Sequence, residues 1–134
     1  MERAIDVLSD IQDVNDLLRG AGVDQVRLVP DAGSVRLEVE LTRAMPELAA
    51  TVRSGLMTRT KTPWTKSRLQ ISKIKASSLR RLGDGEGQLP LVSCEAVPGG
   101  YSALFNTPDG MQLKLEMEQL SGRFWDLGSP TAAP

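Results

Sequence analysis

Between residues 4 and 18 the apolar positions recur at three- and four-residue steps. Ala4, Val7, Leu8, Ile11, Val14 and Leu18 form one stripe, and Asp6, Asp10, Asp13 and Asp16 lie away from its centre. That period predicts an N-terminal amphipathic helix closed by Arg19-Gly20. Ser9-Asp10-Ile11-Gln12 has the spacing of a capping box, which would start the regular helix as late as Asp10. The period then drops to two. Asp24 to Val29 reads as a short strand, Pro30-Asp31-Ala32-Gly33 as a turn, and Val35, Leu37, Val39 and Leu41 alternate with Arg36, Glu38, Glu40 and Thr42 in the clearest strand of the chain. Pro46 to Arg53 predicts a short second helix, with proline at its first position, Glu47 next to it and Ser54-Gly55 at its end.

Residues 57–66 interleave Thr58, Thr60, Thr62 and Thr65 with Arg59, Lys61 and Lys66 around Pro63-Trp64, which predicts an exposed extended loop or sheet edge. Arg68 to Ala76 reads as a strand with Leu69 and Ile71 inward, and Lys73 interrupts the alternation before Ile74, which predicts a bulge. A helix over Ile71, Ile74 and Leu82 is the competing reading. Gly83 to Gly87 is a glycine-rich loop. The remainder predicts a meander: strands at 89–97, 101–106, 111–118 and 123–127, separated by Pro98-Gly99-Gly100, Pro108-Asp109-Gly110 and Leu120-Ser121-Gly122. The fold class is therefore α+β: an N-terminal helix and one short second helix packed on an antiparallel sheet of six to seven strands with a C-terminal β-meander. Residues 1–128 make a single domain and 129–134 a flexible tail. Val35-Arg36-Leu37-Glu38-Val39-Glu40 and Leu113-Lys114-Leu115-Glu116-Met117-Glu118 follow similar turns and repeat one pattern, which is either a duplicated hairpin or two amphipathic strands that converged on one text.

Charge changes the picture. The formal net charge is −1, yet every charge between Leu48 and Gly83 is positive. Arg53, Arg59, Lys61, Lys66, Arg68, Lys73, Lys75, Arg80 and Arg81 give nine cations, while the rest of the chain carries seven cations and all seventeen acids. Such a segment fits an anionic partner. With the remainder acidic and Trp64 the one aromatic within the run, an acidic protein face or a second copy of the chain fits better than nucleic acid. The opposing reading is internal neutralisation by Glu38, Glu40, Glu116 and Glu118 across neighbouring strands.

Other chemistry is thin. There is no histidine, which removes the commonest general base and metal ligand, together with Ser-His-Asp and Cys-His nucleophile systems. The carboxylate pairs Glu38/Glu40 and Glu116/Glu118 read as solvated sheet faces, not as metal ligands. Cys94 is the one cysteine, reads as a buried structural thiol, and points to a reducing compartment. The Gly83–Gly87 loop lacks the spacing of a phosphate-binding fingerprint and carries its own acids. Phe124 and Trp125 adjoin on one strand, so one faces inward and one outward, the outer one a candidate for an interface with Leu127. No secretion signal or membrane-length apolar run is present, so the expected location is cytoplasmic. These observations predict a non-enzymatic binding module without cofactor or metal. It would recognise an acidic protein partner, or a second copy of itself, through the segment 53–81, with Arg53, Arg59, Lys61, Lys66, Arg68, Lys73, Lys75, Arg80 and Arg81 as its cations and Trp64 as its apolar anchor. The alternative is a nucleic-acid-binding protein that uses the same segment.

Overall fold

One long strand organises the sheet. The computed structural model describes residues 2–45, 50–54, 57–82, 91–107 and 109–128, and of 50–54 and 57–61 the backbone alone. Its elements are β1 (Glu2–Ile5), α1 (Leu8–Leu17), β2 (Gly22–Asp31), β3 (Ser34–Ala44), β4 (Ala50–Ser54), β5 (Met57–Lys61), β6 (Trp64–Arg81), β7 (Val92–Val97), β8 (Gly100–Asn106), β9 (Met111–Met117) and β10 (Gly122–Asp126). Eight of the strands form one antiparallel sheet along the path β1-β10-β6-β9-β8-β7, with β3 also on β6 and β2 on β3; β4 and β5 pair separately.

The 18 residues of β6 are served by three strands. Ser67 to Ile71 pair with β10 and also with β3, so those two lie on opposite edges. Ile74 pairs with Val35 of β3 and with Met117 of β9, so β9 shares the edge of β10. One edge of β6 is thus covered by two strands in line. The other is covered by β3 as far as Ile74. The hairpins β2–β3 and β8–β9, which hold the repeated pattern, therefore meet β6 from opposite sides.

Helix α1 packs on β1 and on β7, the two ends of the strand path, and the Asn15 Oδ1 accepts the Val92 N–H at 3.2 Å. A sheet whose two ends meet one helix is curled, here into a half-barrel with α1 across the gap. Its concave face holds a continuous core that includes Ile5, Ile11, Val14, Leu37, Val39, Leu41, Leu69, Ile71, Phe105, Leu115 and Phe124. Among the described residues no helix is long and apolar enough to cross a membrane.

Three expectations need correction. The apolar stripe was read as helix from Ala4, but Ala4 lies in β1 and the helix begins at Leu8. The Asp10 carboxylate accepts the backbone N–H groups of Asp6 (3.0 Å) and Val7 (3.1 Å), which fixes that start and holds its pKa below the ordinary carboxylate range. Ala4, which extended the stripe in text, is exposed in β1, and it is Ile5 of that strand that enters the core. The second helix fails over 50–53. Ala50–Ser54 is a strand paired with Met57–Lys61, setting Thr51 against Thr60 and Val52 against Arg59. A helix of about two turns that contains β-branched Thr51 and Val52 has little intrinsic helicity to oppose that pairing. Residues 46–49 lie outside the described set, as do the Gly83–Gly87 loop and the tail from Ser129. Eight strands in one sheet replace the expected six to seven.

The first hairpin turns through Ala32 (φ 46°) and Gly33 (φ 87°), both left-handed, as a two-residue connection of type I′ requires. Pro30 is not in the turn. It sits in β2 opposite Val35, on an edge strand that tolerates a missing N–H. Ala32 carries the cost of a left-handed alanine, so Ala32→Asn should raise stability by about 0.5–1 kcal/mol in urea titration. A lowered midpoint would mean that Ala32 is not left-handed in solution.

Candidate protein-binding surface

Alternation in β6 decides where its cations go. Thr65, Ser67, Leu69 and Ile71 are buried on the concave face, so Lys66 and Arg68 stand on the convex one. There they meet acids. Lys66 Nζ donates to Asp24 Oδ2 at 2.9 Å and to Thr42 Oγ1 at 2.7 Å. These bonds, Lys66 first and then Thr42, lower the Asp24 pKa against a smaller effect of burial. Arg68 donates to Glu40 Oε1 at 2.7 Å. Glu38 accepts from Arg27 and Arg36, both at 2.9 Å. The convex face of the β2–β3–β6 region is thus a lattice of paired charges: Glu40 neutralises Arg68 as the internal-pairing reading expected, whereas Glu38 lies opposite Gln70 and is taken by Arg27 and Arg36 from outside the basic segment. Such exposed pairs contribute at most about 1 kcal/mol each.

Trp125 completes this lattice. Phe124 faces the core and Trp125 faces out, with the Arg68 and Arg123 guanidinium carbons 5.8 Å and 4.5 Å from its ring. Cation–π contact on the ring keeps Trp125 part of the surface framework. Trp64 is half-buried opposite Ala44 at the start of β6.

Beyond Ile74 the strand behaves differently. Lys73 takes a left-handed φ of 59°, and the register with β3 shifts between Ile71 and Ile74, so the expected bulge is present; the register with β9 shifts a step later, between Ile74 and Ala76. Lys73 Nζ reaches Gln119 Oε1 at 3.2 Å, Lys75 pairs with Glu118 at 2.6 Å, and Arg80 Nε donates to Gln112 Oε1 at 2.7 Å. The Glu118 pKa is lowered by that lysine, through its hydrogen bond and then its charge. Neither Lys73 nor Arg81 forms an ion pair with an acid among the described residues. Residues 75 to 81 are all exposed. Leu79 is 61% exposed although its cross-strand neighbour Leu113 is buried.

Among the described residues one edge of this stretch is open. Leu82 N–H donates to Gly110 O at 2.7 Å, so the main chain of Leu82 points towards β9. Antiparallel geometry alternates that direction, which sends Ala76, Ser78 and Arg80 towards β9 and Ser77, Leu79 and Arg81 away from it. Among the described residues, no strand pairs with the side that Ser77, Leu79 and Arg81 face.

The predicted binding residues are therefore not one patch. Lys66 and Arg68 sit in the paired lattice, Lys73, Lys75, Arg80 and Arg81 line the projecting half of β6, and Arg53, Arg59 and Lys61 lie on the separate β4–β5 hairpin with side chains outside the described set. Sequence reasoning missed Leu79 and the open edge, since nothing in the text says which residue of β6 lies opposite the turn that begins β3. A shallow cleft of about 620 Å³ crosses the convex face near Lys75, Glu95, Ser102 and Glu116, with charges of both signs. Among the described residues no group of three or more acids and cysteines is placed to hold a metal. Cys94 is half-buried where a buried thiol was expected; burial first, and then Glu95, raise its pKa, which disfavours the reactive thiolate. Comparison with protein-family models, with curated proteins and with solved structures gives no match to this chain.

Proposed function

We propose that this protein is a non-enzymatic binding module that recognises an acidic protein face through its basic segment, with the C-terminal half of β6 at the centre of that surface. One observation carries the reading: Lys73 and Arg81, without carboxylate partners among the described residues, flank an exposed leucine on an unpaired strand edge. Lys66 and Arg68 count for less than the sequence implied, because each already faces an acid. Cations steer an acidic partner into encounter, and burial of Leu79 supplies apolar area once it arrives.

Fluorescence anisotropy with a labelled glutamate-rich peptide and with mixed-sequence oligonucleotides tests this. The peptide should bind at low salt and weaken roughly tenfold or more on going to about 0.15 M salt. The double variant Lys73→Glu/Arg81→Glu should weaken it by a similar factor. Preference for the oligonucleotide would transfer the surface to nucleic acid, and indifference to charge reversal would remove it as a recognition site.

A further inference from the structure

We infer that the open edge of β6 accepts an acidic extended segment of a partner protein as a ninth strand of the sheet. This rests on the reading of β6 as the recognition surface and specifies how it would be used.

The argument begins with the two edges of β6. On one edge β10 and β9 lie end to end and cover the strand from Ser67 to Arg81. On the other, β3 pairs with Trp64 to Ile74 and then turns away through Ala32 and Gly33. The seven residues that follow span about 20 Å at the usual rise of a strand. They keep strand geometry because β9 holds them, and they present the N–H and C=O groups of Ser77, Leu79 and Arg81 in a row. A segment in line with β3 would complete the second edge as β9 and β10 complete the first. Main-chain bonds give such strand addition its affinity, and side chains on alternate positions give it selectivity.

The side chains indicate which segment fits. Directly opposed residues share a face, so Ser77, Leu79 and Arg81 share the concave face with Leu115, Leu113 and Met111. An apolar residue opposite Leu79 would cover a leucine that is otherwise 61% exposed. An acidic residue two positions along would meet Arg81, and another at the far end would meet Lys75, whose exposed pairing with Glu118 is easily exchanged.

A second copy fits poorly by the same route. Antiparallel self-pairing about Ser78 would set Lys75 opposite Arg81 twice, and like charges directly opposed are destabilising. Lys75 and the adjacent bulge are also the devices by which an edge rejects strands like itself. The cationic edge therefore discriminates between strands by sign of charge, in favour of an acidic one.

The probe is a synthetic blocked peptide, Glu-Thr-Val-Thr-Val-Thr-Glu, added to the full chain; paired antiparallel, it sets its valines opposite Ser77 and Leu79 and its terminal glutamates opposite Arg81 and Lys75. Amide hydrogen exchange followed by NMR should show Ser77, Leu79 and Arg81 exchanging fast in the free protein and slowing about tenfold or more with peptide. Ser77→Pro deletes an N–H on the open side and leaves the β9 ladder its donors, so it should weaken binding at least about tenfold with the melting profile of the sheet retained. Sedimentation should show the peptide-free protein as a monomer at moderate salt; a dimer that buries these three amides would overturn the choice of partner. If Lys73→Glu/Arg81→Glu abolishes binding while Ser77→Pro does not and the three amides stay unprotected, strand addition is wrong and charge-based docking survives. If neither variant changes binding, both readings fall.

Discussion

Arg43→Met should lower the stability of the fold by about 3–5 kcal/mol, the loss typical when one member of a buried ion pair is removed. Arg43 is buried in β3, on the same face as Leu37, Val39 and Leu41. Its Nε and Nη2 donate to the two oxygens of Asp126 at 3.0 and 2.9 Å, and Ser67 Oγ donates to Oδ1 at 2.7 Å. The side chains of the pair are 1% and 5% exposed, and the guanidinium carbon lies 5.8 Å from the centre of the Phe124 ring. Methionine fills much of the space but leaves the buried Asp126 carboxylate without its bidentate cationic partner. A domain of this size holds about 5–15 kcal/mol in total, so the variant should be close to unfolding at physiological temperature. The double variant Arg43→Met/Asp126→Leu should lose much less than the two single losses added, because it removes both charges together. Urea titration of the set decides it. A single-variant loss below about 1 kcal/mol would mean that the pair is solvated.

The same pair sets an acid dependence. Burial pushes the Asp126 carboxyl up, but hydrogen bonds from Arg43 and Ser67 outweigh it and hold its pKa below the ordinary 3.8. A carboxylate whose folded pKa lies below its unfolded one stabilises the fold above the unfolded value. That stabilisation disappears as pH falls through the folded value. Wild type should therefore lose this contribution below about pH 4, and Asp126→Asn, already weakened at neutral pH, should lack that part of the acid limb.

How much of this was legible follows from what alternation can and cannot say. Val35 to Leu41 named an inward face that the fold keeps, and one further step along the same strand reaches Arg43. The reading stopped at Thr42, because an arginine ends an apolar pattern in text. It continues the pattern in space when an inward acid answers it. Asp126 follows from the same alternation only once the structure sets Phe124 inward on β10, a choice between Phe124 and Trp125 that the sequence left open. What no local pattern could supply is the neighbourhood of β10 and β3, two strands separated by most of the chain and brought together by β6. The run of cations was legible as composition. Its division into a neutralised stretch and a projecting one was not, since Asp24, Glu40 and Glu118 reach it only through that sheet order. The bulge at Lys73 was visible because it breaks a period within a single strand.

Gly122→Ala should destabilise the protein by about 2–3 kcal/mol, although the same change in an open strand position is expected to stabilise. In the sequence Leu120-Ser121-Gly122 looks like turn chemistry, and a turn glycine is kept for its left-handed conformations. Gly122 is not among the positive-φ glycines. It is the first residue of β10, paired on one side with Ile71 and on the other with Ile5. A Cβ placed there would lie 2.6 Å from the Gln70 carbonyl oxygen and 3.3 Å from the Ile5 Cβ. The first contact is with backbone, so no side-chain rotation relieves it, and β10 must shift off β6. That shift would loosen β1, which among the described residues pairs with β10 alone, and with it the strand end on which α1 rests. The expected signature is a lowered urea midpoint together with faster amide exchange in β1 and β10, with β7 and β8 slower to respond. An unchanged or raised midpoint would show that β10 crosses β6 at a greater distance, and the close approach that ties the N-terminal strand into the half-barrel would have to be abandoned.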